Sequence, residues 1–97
     1  MKKAEISCAK KMKVLADETR LTIMRSLMKG PLCVSELNEG LHIEQSLLSH
    51  HLRILRDARL VTTTRAGKSV RYGLNPDVTS EQSPQAIDLG CCTLSFD

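Results

Sequence analysis

A chain whose only aromatic residues are Tyr72 and Phe96 has to build its core from aliphatic side chains. Leu, Ile, Val, Met and Ala carry most of the 41% apolar content, and 97 residues leave room for one small domain and a tail. Such a core is thin. A domain of this size commonly needs a metal, a cross-link or a partner subunit to become stable, and aliphatic helices supply the last of these most cheaply. A homodimer is expected, and a multidomain enzyme is excluded.

Charge is divided unevenly along the chain. All 14 Lys and Arg fall within residues 1–74 against seven acids, whereas Asp77, Glu81, Asp88 and Asp97 follow with no base among them. A basic body with an acidic tail suits a polyanionic partner such as nucleic acid, although an ordinary solvated surface could carry the same charge. No apolar run approaches the roughly 18 residues of a membrane span. Glu5, Lys10, Lys11 and Lys13 also interrupt the place where an export signal needs its apolar core. The expected location is therefore the cytoplasm, with no membrane partner. In that reducing compartment Cys8, Cys33, Cys91 and Cys92 are expected as thiols, not as a disulfide framework. Their spacing is not the C-x-x-C of a zinc ribbon or a thioredoxin-type site.

Hydrophobic periodicity divides the first 58 residues into helices. Cys8, Met12 and Leu15 share a stripe within residues 4–15, and Asp17 can cap a second helix that buries Leu21, Ile23, Met24, Leu27 and Met28. Gly30-Pro31 stops it. A third helix is expected from Val34, with Leu37 and Leu41 on its buried face and Gly40 able to end it in a left-handed conformation. The fourth begins at Glu44 or Gln45 and runs to about Ala58, with Leu48, Leu52 and Leu55 on one stripe and Gln45, Ser46, Ser49, His50 and Arg53 opposite. Two helices joined by a short turn, the second presenting polar side chains from its first half, describe a helix-turn-helix whose recognition helix fits a major groove. A solvated helix face is the plain alternative. His51 lies beside the buried stripe and is expected to pack or to touch phosphate, and His42 falls in the turn.

Beyond Ala58 the period changes to two. Leu60–Arg65 and Ser69–Leu74 alternate around Ala66-Gly67-Lys68, which reads as a hairpin carrying Arg65, Lys68 and Arg71 at or near its tip. The expected architecture is mainly α with a small β-hairpin, an α+β winged helix-turn-helix that forms a homodimer. Residues 1–75 make the DNA-binding domain, and residues 76–97 make a flexible linker to roughly Gln85 followed by a cysteine-bearing tail. Cys92, Leu94 and Phe96 alternate like a short strand, which suggests a docked end.

Three segments together resemble the ArsR/SmtB family of metal-responsive winged-helix repressors. Leu15-Ala16-Asp17-Glu18-Thr19-Arg20-Leu21 is similar to its first signature, residues 48–56 to its recognition helix, and residues 67–74 to its wing. The resemblance covers residues 12–74 and implies a homodimeric repressor that binds double-stranded operator DNA and lets go when an inducer binds. No cofactor is implied for DNA binding itself. Departures are equally specific. Nothing after Leu74 resembles the long final helix, with its zinc ligands, that many relatives carry. The Cys-Val-Cys of arsenic-sensing relatives stands here as Cys33-Val34-Ser35, and the usual Gly after the recognition helix is Arg59, which is expected in the left-handed region.

Soft thiolates select thiophilic ions. The vicinal pair Cys91 and Cys92 beside Gly90 is the leading inducer site, with Cys33 or Cys8 as at most a third donor. Arsenite or antimonite, which prefers two or three sulfurs, fits that set ahead of cadmium or lead, and zinc usually requires four ligands. Both sulfurs reach one ion only if Gly90 kinks the chain, because neighbouring strand residues point to opposite faces. Persulfide or redox sensing, a constitutive DNA-binding protein without inducer and a small thiol reductase remain as alternatives.

Overall fold

Two short polar side chains start the first two helices. In the computed structural model, which describes residues 7–80 and 82–96, the Ser7 hydroxyl accepts the Lys10 N–H and opens α1 (Cys8–Leu15). Asp17 accepts the Arg20 N–H at 2.9 Å and opens α2 (Glu18–Leu27), with Glu18 favourably placed in the positive first turn. Residues 4–6 of the expected first helix lie outside the described residues. Gly30, at φ +142°, and Pro31 then turn the chain into β1 (Leu32–Cys33). Helix α3 (Val34–Leu41) and helix α4 (Gln45–Asp57) follow, and the wing is β2 (Val61–Ala66) paired with β3 (Ser69–Leu74).

Strand β1 was not expected. It places Leu32 opposite Tyr72 and Cys33 opposite Arg71 on β3, so the sheet has three strands in the order β1-β3-β2. The end of α3 also differs from expectation. Gly40 stays helical, and His42 takes the left-handed conformation at φ +54° with its N–H on the Asn38 carbonyl. The Asn38 side chain is the cause: its amide donates to the Ile43 carbonyl and accepts the Ile43 N–H, which pins the chain three residues past Gly40. At the end of α4, Arg59 does adopt φ +62°, and the Leu60 N–H reaches back to the Leu55 carbonyl.

The core forms around α4. Leu48, Leu52 and Leu55 have no solvent exposure and meet Ile23, Met24 and Leu27 of α2, Leu37 of α3 and Leu60 and Val61 at the foot of the wing. The segment after the wing joins the same core. Asn75 caps a 3-10 turn over Pro76–Val78, and β4 (Ala86–Asp88) pairs antiparallel with β5 (Thr93–Ser95). Val78, Ile87 and Leu89 are buried in the helical core, with Cys92, Leu94 and Phe96 half-buried against it. The alternation at Cys92, Leu94 and Phe96 is thus that of a docked strand. The expected linker is anchored at both ends, by Val78 and by the bridge from Thr79 to Ile87. Among the described residues, no helix is long and apolar enough to cross a membrane.

Arg59 is exposed, and a non-glycine residue in the left-handed region costs about 1 kcal/mol. Arg59→Gly is therefore expected to raise unfolding stability by up to about 1 kcal/mol, read as a higher urea midpoint at unchanged slope.

Candidate functional site

The stripe that buries α4 leaves its other face free. Gln45, Ser46, Ser49, His50 and Arg53 are all exposed there, and the Ser46 hydroxyl donates to the Glu44 carboxylate at 2.9 Å. The Glu44 carbonyl accepts the Leu48 N–H but its side chain makes no capping bond, so the N–H groups of the first turn of α4 before Leu48 remain available to an acceptor. Arg65, Lys68 and Arg71 are also exposed. Register separates the two arginines: Arg65 lies opposite Val70 and Arg71 opposite Thr64, which puts them on opposite faces of the hairpin with Lys68 at its tip.

The recognition helix is tied to the helices before it by one polar contact. His51, nearly buried on α4, accepts a hydrogen bond at Nδ1 from Arg20 Nε at 3.1 Å. The same guanidinium donates to the Val14 carbonyl near the end of α1, also at 3.1 Å, and Asp17 Oδ2 stands 4.0 Å from the histidine nitrogen. An acceptor nitrogen carries no proton, so this geometry selects the neutral imidazole with its hydrogen on Nε2. Arg20 thereby clamps α1, α2 and α4 together through a single side chain.

Three cysteines converge at the N-terminal end of α1. Cys8 is the first residue of α1, and the turn between β4 and β5 carries Cys91 and Cys92. The Gly90 N–H bonds to the Asp88 carboxylate, and the Leu89 N–H bonds to the Cys92 carbonyl, which closes the turn. Gly90 supplies the kink at φ +95°, and the Cys91 and Cys92 sulfurs stand 3.7 Å apart. With Cys8 they form a group whose sulfurs all lie within 4.8 Å of one another. Cys8 and Cys91 are joined as a disulfide. That corrects the expectation of thiols throughout, and the cause is the docked hairpin, which carries Cys91 back to α1 across 83 residues of sequence.

Cys33 is not part of this group. It precedes α3, where its N–H donates to Glu36 Oε1 at 2.9 Å and its sulfur lies 3.3 Å from the Ser35 hydroxyl. The backbone N–H of Cys33, and then its thiol, hold the Glu36 carboxyl below the usual range.

Residues 17–63 match the model of bacterial regulatory proteins of the arsR family. The chain is 39% identical over 84 residues to the HTH-type transcriptional regulator NmtR of Mycobacterium tuberculosis, covering 87% of this chain and 70% of that protein. The chain belongs to the ArsR family. It is a DNA-binding transcriptional regulator of that family and not an enzyme. The arsenical resistance operon repressor of Bacillus subtilis is 46% identical over 69% of this chain, which spans 65% of that repressor. HlyU from Vibrio cholerae superposes with a TM-score of 0.69 at 35% identity, covering 84% of this chain and 85% of its own. The winged helix-turn-helix expected from the sequence is thus the fold of this ArsR protein.

Arg20 was not singled out from the sequence, although it lies inside the first family-like segment, Leu15–Leu21. A single arginine at a helix start carries no local mark of a partner 31 residues away. His51 is the packing histidine that its place beside the stripe suggested. Removing its ring leaves the Arg20 Nε–H without its partner. His51→Ala should therefore cost about 2 kcal/mol of unfolding free energy, measured by denaturant titration, whereas His50→Ala on the exposed face should leave stability unchanged.

Proposed function

We propose that this ArsR protein is a homodimeric repressor that releases its operator when a thiophilic ion, arsenite or antimonite first, binds the thiolates of Cys91, Cys92 and Cys8. The convergence of those three sulfurs within 4.8 Å carries the reading. Three sulfur donors suit an ion that takes two or three thiolates, and zinc usually wants a fourth ligand. The disulfide must be reduced before the site can bind, because the ligand is the thiolate. Cys33, held at the start of α3, has no part in the site. The name of the Bacillus relative, an arsenical resistance operon repressor, supports the choice of ion. Met12, 47% exposed on α1, supports dimerisation through that helix, with the two recognition helices about one helical turn of DNA apart.

On the DNA side, Gln45, Ser46, Ser49, His50 and Arg53 enter the major groove, and Arg65, Lys68 and Arg71 approach phosphates. Ser49→Ala or His50→Ala should weaken binding and relax sequence preference. Lys68→Ala should weaken all duplexes alike and lower the salt slope by about one. Fluorescence anisotropy on matched and scrambled duplexes at several salt concentrations separates these effects, and unchanged binding in all three variants removes the assignment.

For the inducer, Cys91→Ser with Cys92→Ser should still bind operator but fail to release it at arsenite concentrations that release the unmodified protein. Cys33→Ser should respond as the unmodified protein does. Release by the double variant together with silence of Cys33→Ser would move the sensor to α3.

A further inference from the structure

One exposed side chain on the recognition helix takes no part in the polar contacts proposed above. Among the described residues the exposed large hydrophobics are Met12 on α1, at 47%, and Leu47 on α4, at 45%. We propose that Leu47 is a specificity-determining residue that reads thymine, by packing on its C5-methyl group in the major groove. The proposal rests on the reading of α4 as the helix that enters that groove, and adds to it a contact that no hydrogen bond can make.

Leu47 is the third residue of α4, in the turn that a helix-turn-helix brings nearest to base edges. A helical side chain leans toward the N-terminal end of its helix, so Leu47 covers the first turn and not the middle of α4. One turn further on, its surface neighbours are His50, which is exposed, and His51, which is nearly buried. Leu47 therefore stands at the margin of the polar face. It adjoins the buried stripe without joining it, for Leu48 beside it has no exposure at all. Gln45 and Ser46, exposed in the same turn, are both polar.

The groove offers such a side chain one matching group. Guanine, cytosine and adenine present hydrogen-bond donors and acceptors there, and thymine alone adds a methyl. Set against a donor or acceptor, leucine would displace its water without replacing the hydrogen bond. The same contact thus favours thymine and works against the other bases. Position on the helix agrees. In the pyrimidine ring C5 lies between C4 and C6, and C6 is next to the glycosidic nitrogen, so the methyl stands toward its own strand's backbone and away from mid-groove. A residue at the margin of the reading face meets it there. Burying one methyl group is worth about fourfold in affinity.

The test uses the full chain and a duplex selected from a random pool by the unmodified protein. Each thymine of one half-site is replaced in turn by deoxyuridine, which removes the methyl and leaves every donor and acceptor in place. At one thymine the affinity is expected to fall about fourfold in fluorescence anisotropy. Leu47→Ala, which keeps helix propensity, should bind the thymine duplex more weakly and treat the two duplexes alike, with an unchanged denaturant midpoint. Leu47→Met should keep the thymine preference. Lys68→Ala should weaken both duplexes and retain their full difference.

A scan in which no methyl matters overturns the thymine contact, and so does a methyl effect that persists undiminished in Leu47→Ala. If that variant keeps the methyl effect but dissociates into monomers, Leu47 belongs to an interface between copies and the proposal falls. Full sequence preference in Ser49→Ala and His50→Ala would remove the reading of α4 itself. Relaxed preference in those two, with the methyl effect intact in Leu47→Ala, removes the Leu47 contact alone.

Discussion

Leu48, Leu52 and Leu55 organise this protein. Their spacing of four and three residues puts them on one side of a 13-residue helix, and all three are sealed from solvent. Burying that stripe decides the orientation of the whole helix about its axis. The opposite side must then face water, and it is there that Gln45, Ser49, His50 and Arg53 stand. The exposed polar face of α4 is thus a consequence of core packing. Burial of each leucine is worth about 2 kcal/mol, so rotating the helix to hide its polar face would cost more than any single surface contact returns.

Rotation is controlled by the leucines, but the position of α4 relative to α1 is also held by hydrogen bonds. Arg20 reaches both His51 on α4 and the Val14 carbonyl near the end of α1. Such a bond is directional where aliphatic packing is not, and in a core almost without aromatic rings few other contacts are. Cys8 sits at the opposite end of α1 from Val14. The helix that carries one thiol of the cluster is therefore the helix whose other end is fastened to α4, which gives the thiol cluster a short physical connection to that helix.

The segment after the wing changes what the cysteines can do. Ile87 and Leu89 enter the helical core, and Phe96 lies beneath the Arg25 guanidinium, 5.6 Å from the ring centre. With the hairpin anchored in this way, the turn at Gly90 has little freedom, and its two cysteines arrive at Cys8 already positioned. A thiol cluster on a mobile tail would have to supply the ordering entropy from binding itself. Here apolar burial supplies it, and the bond between Cys8 and Cys91 only completes a contact that packing has prepared.

The sequence by itself determined the local features: the Asp17 cap, the stop at Gly30-Pro31, the two-faced fourth helix, the wing around Gly67 and the left-handed Arg59. Each is written in a period, a cap or a turn residue within a few positions of the feature it specifies. Only the tertiary structure decided the rest. A two-residue β1 is too short to show a period, and His42 turns left-handed because of a side-chain bond from Asn38, not because of its own chemistry. The choice of Cys8 over Cys33 as partner to the vicinal pair is of the same kind. Sequence shows four thiols, and which three meet depends on where Ile87 and Leu89 bury the hairpin, a matter of packing across 83 residues that no local pattern records.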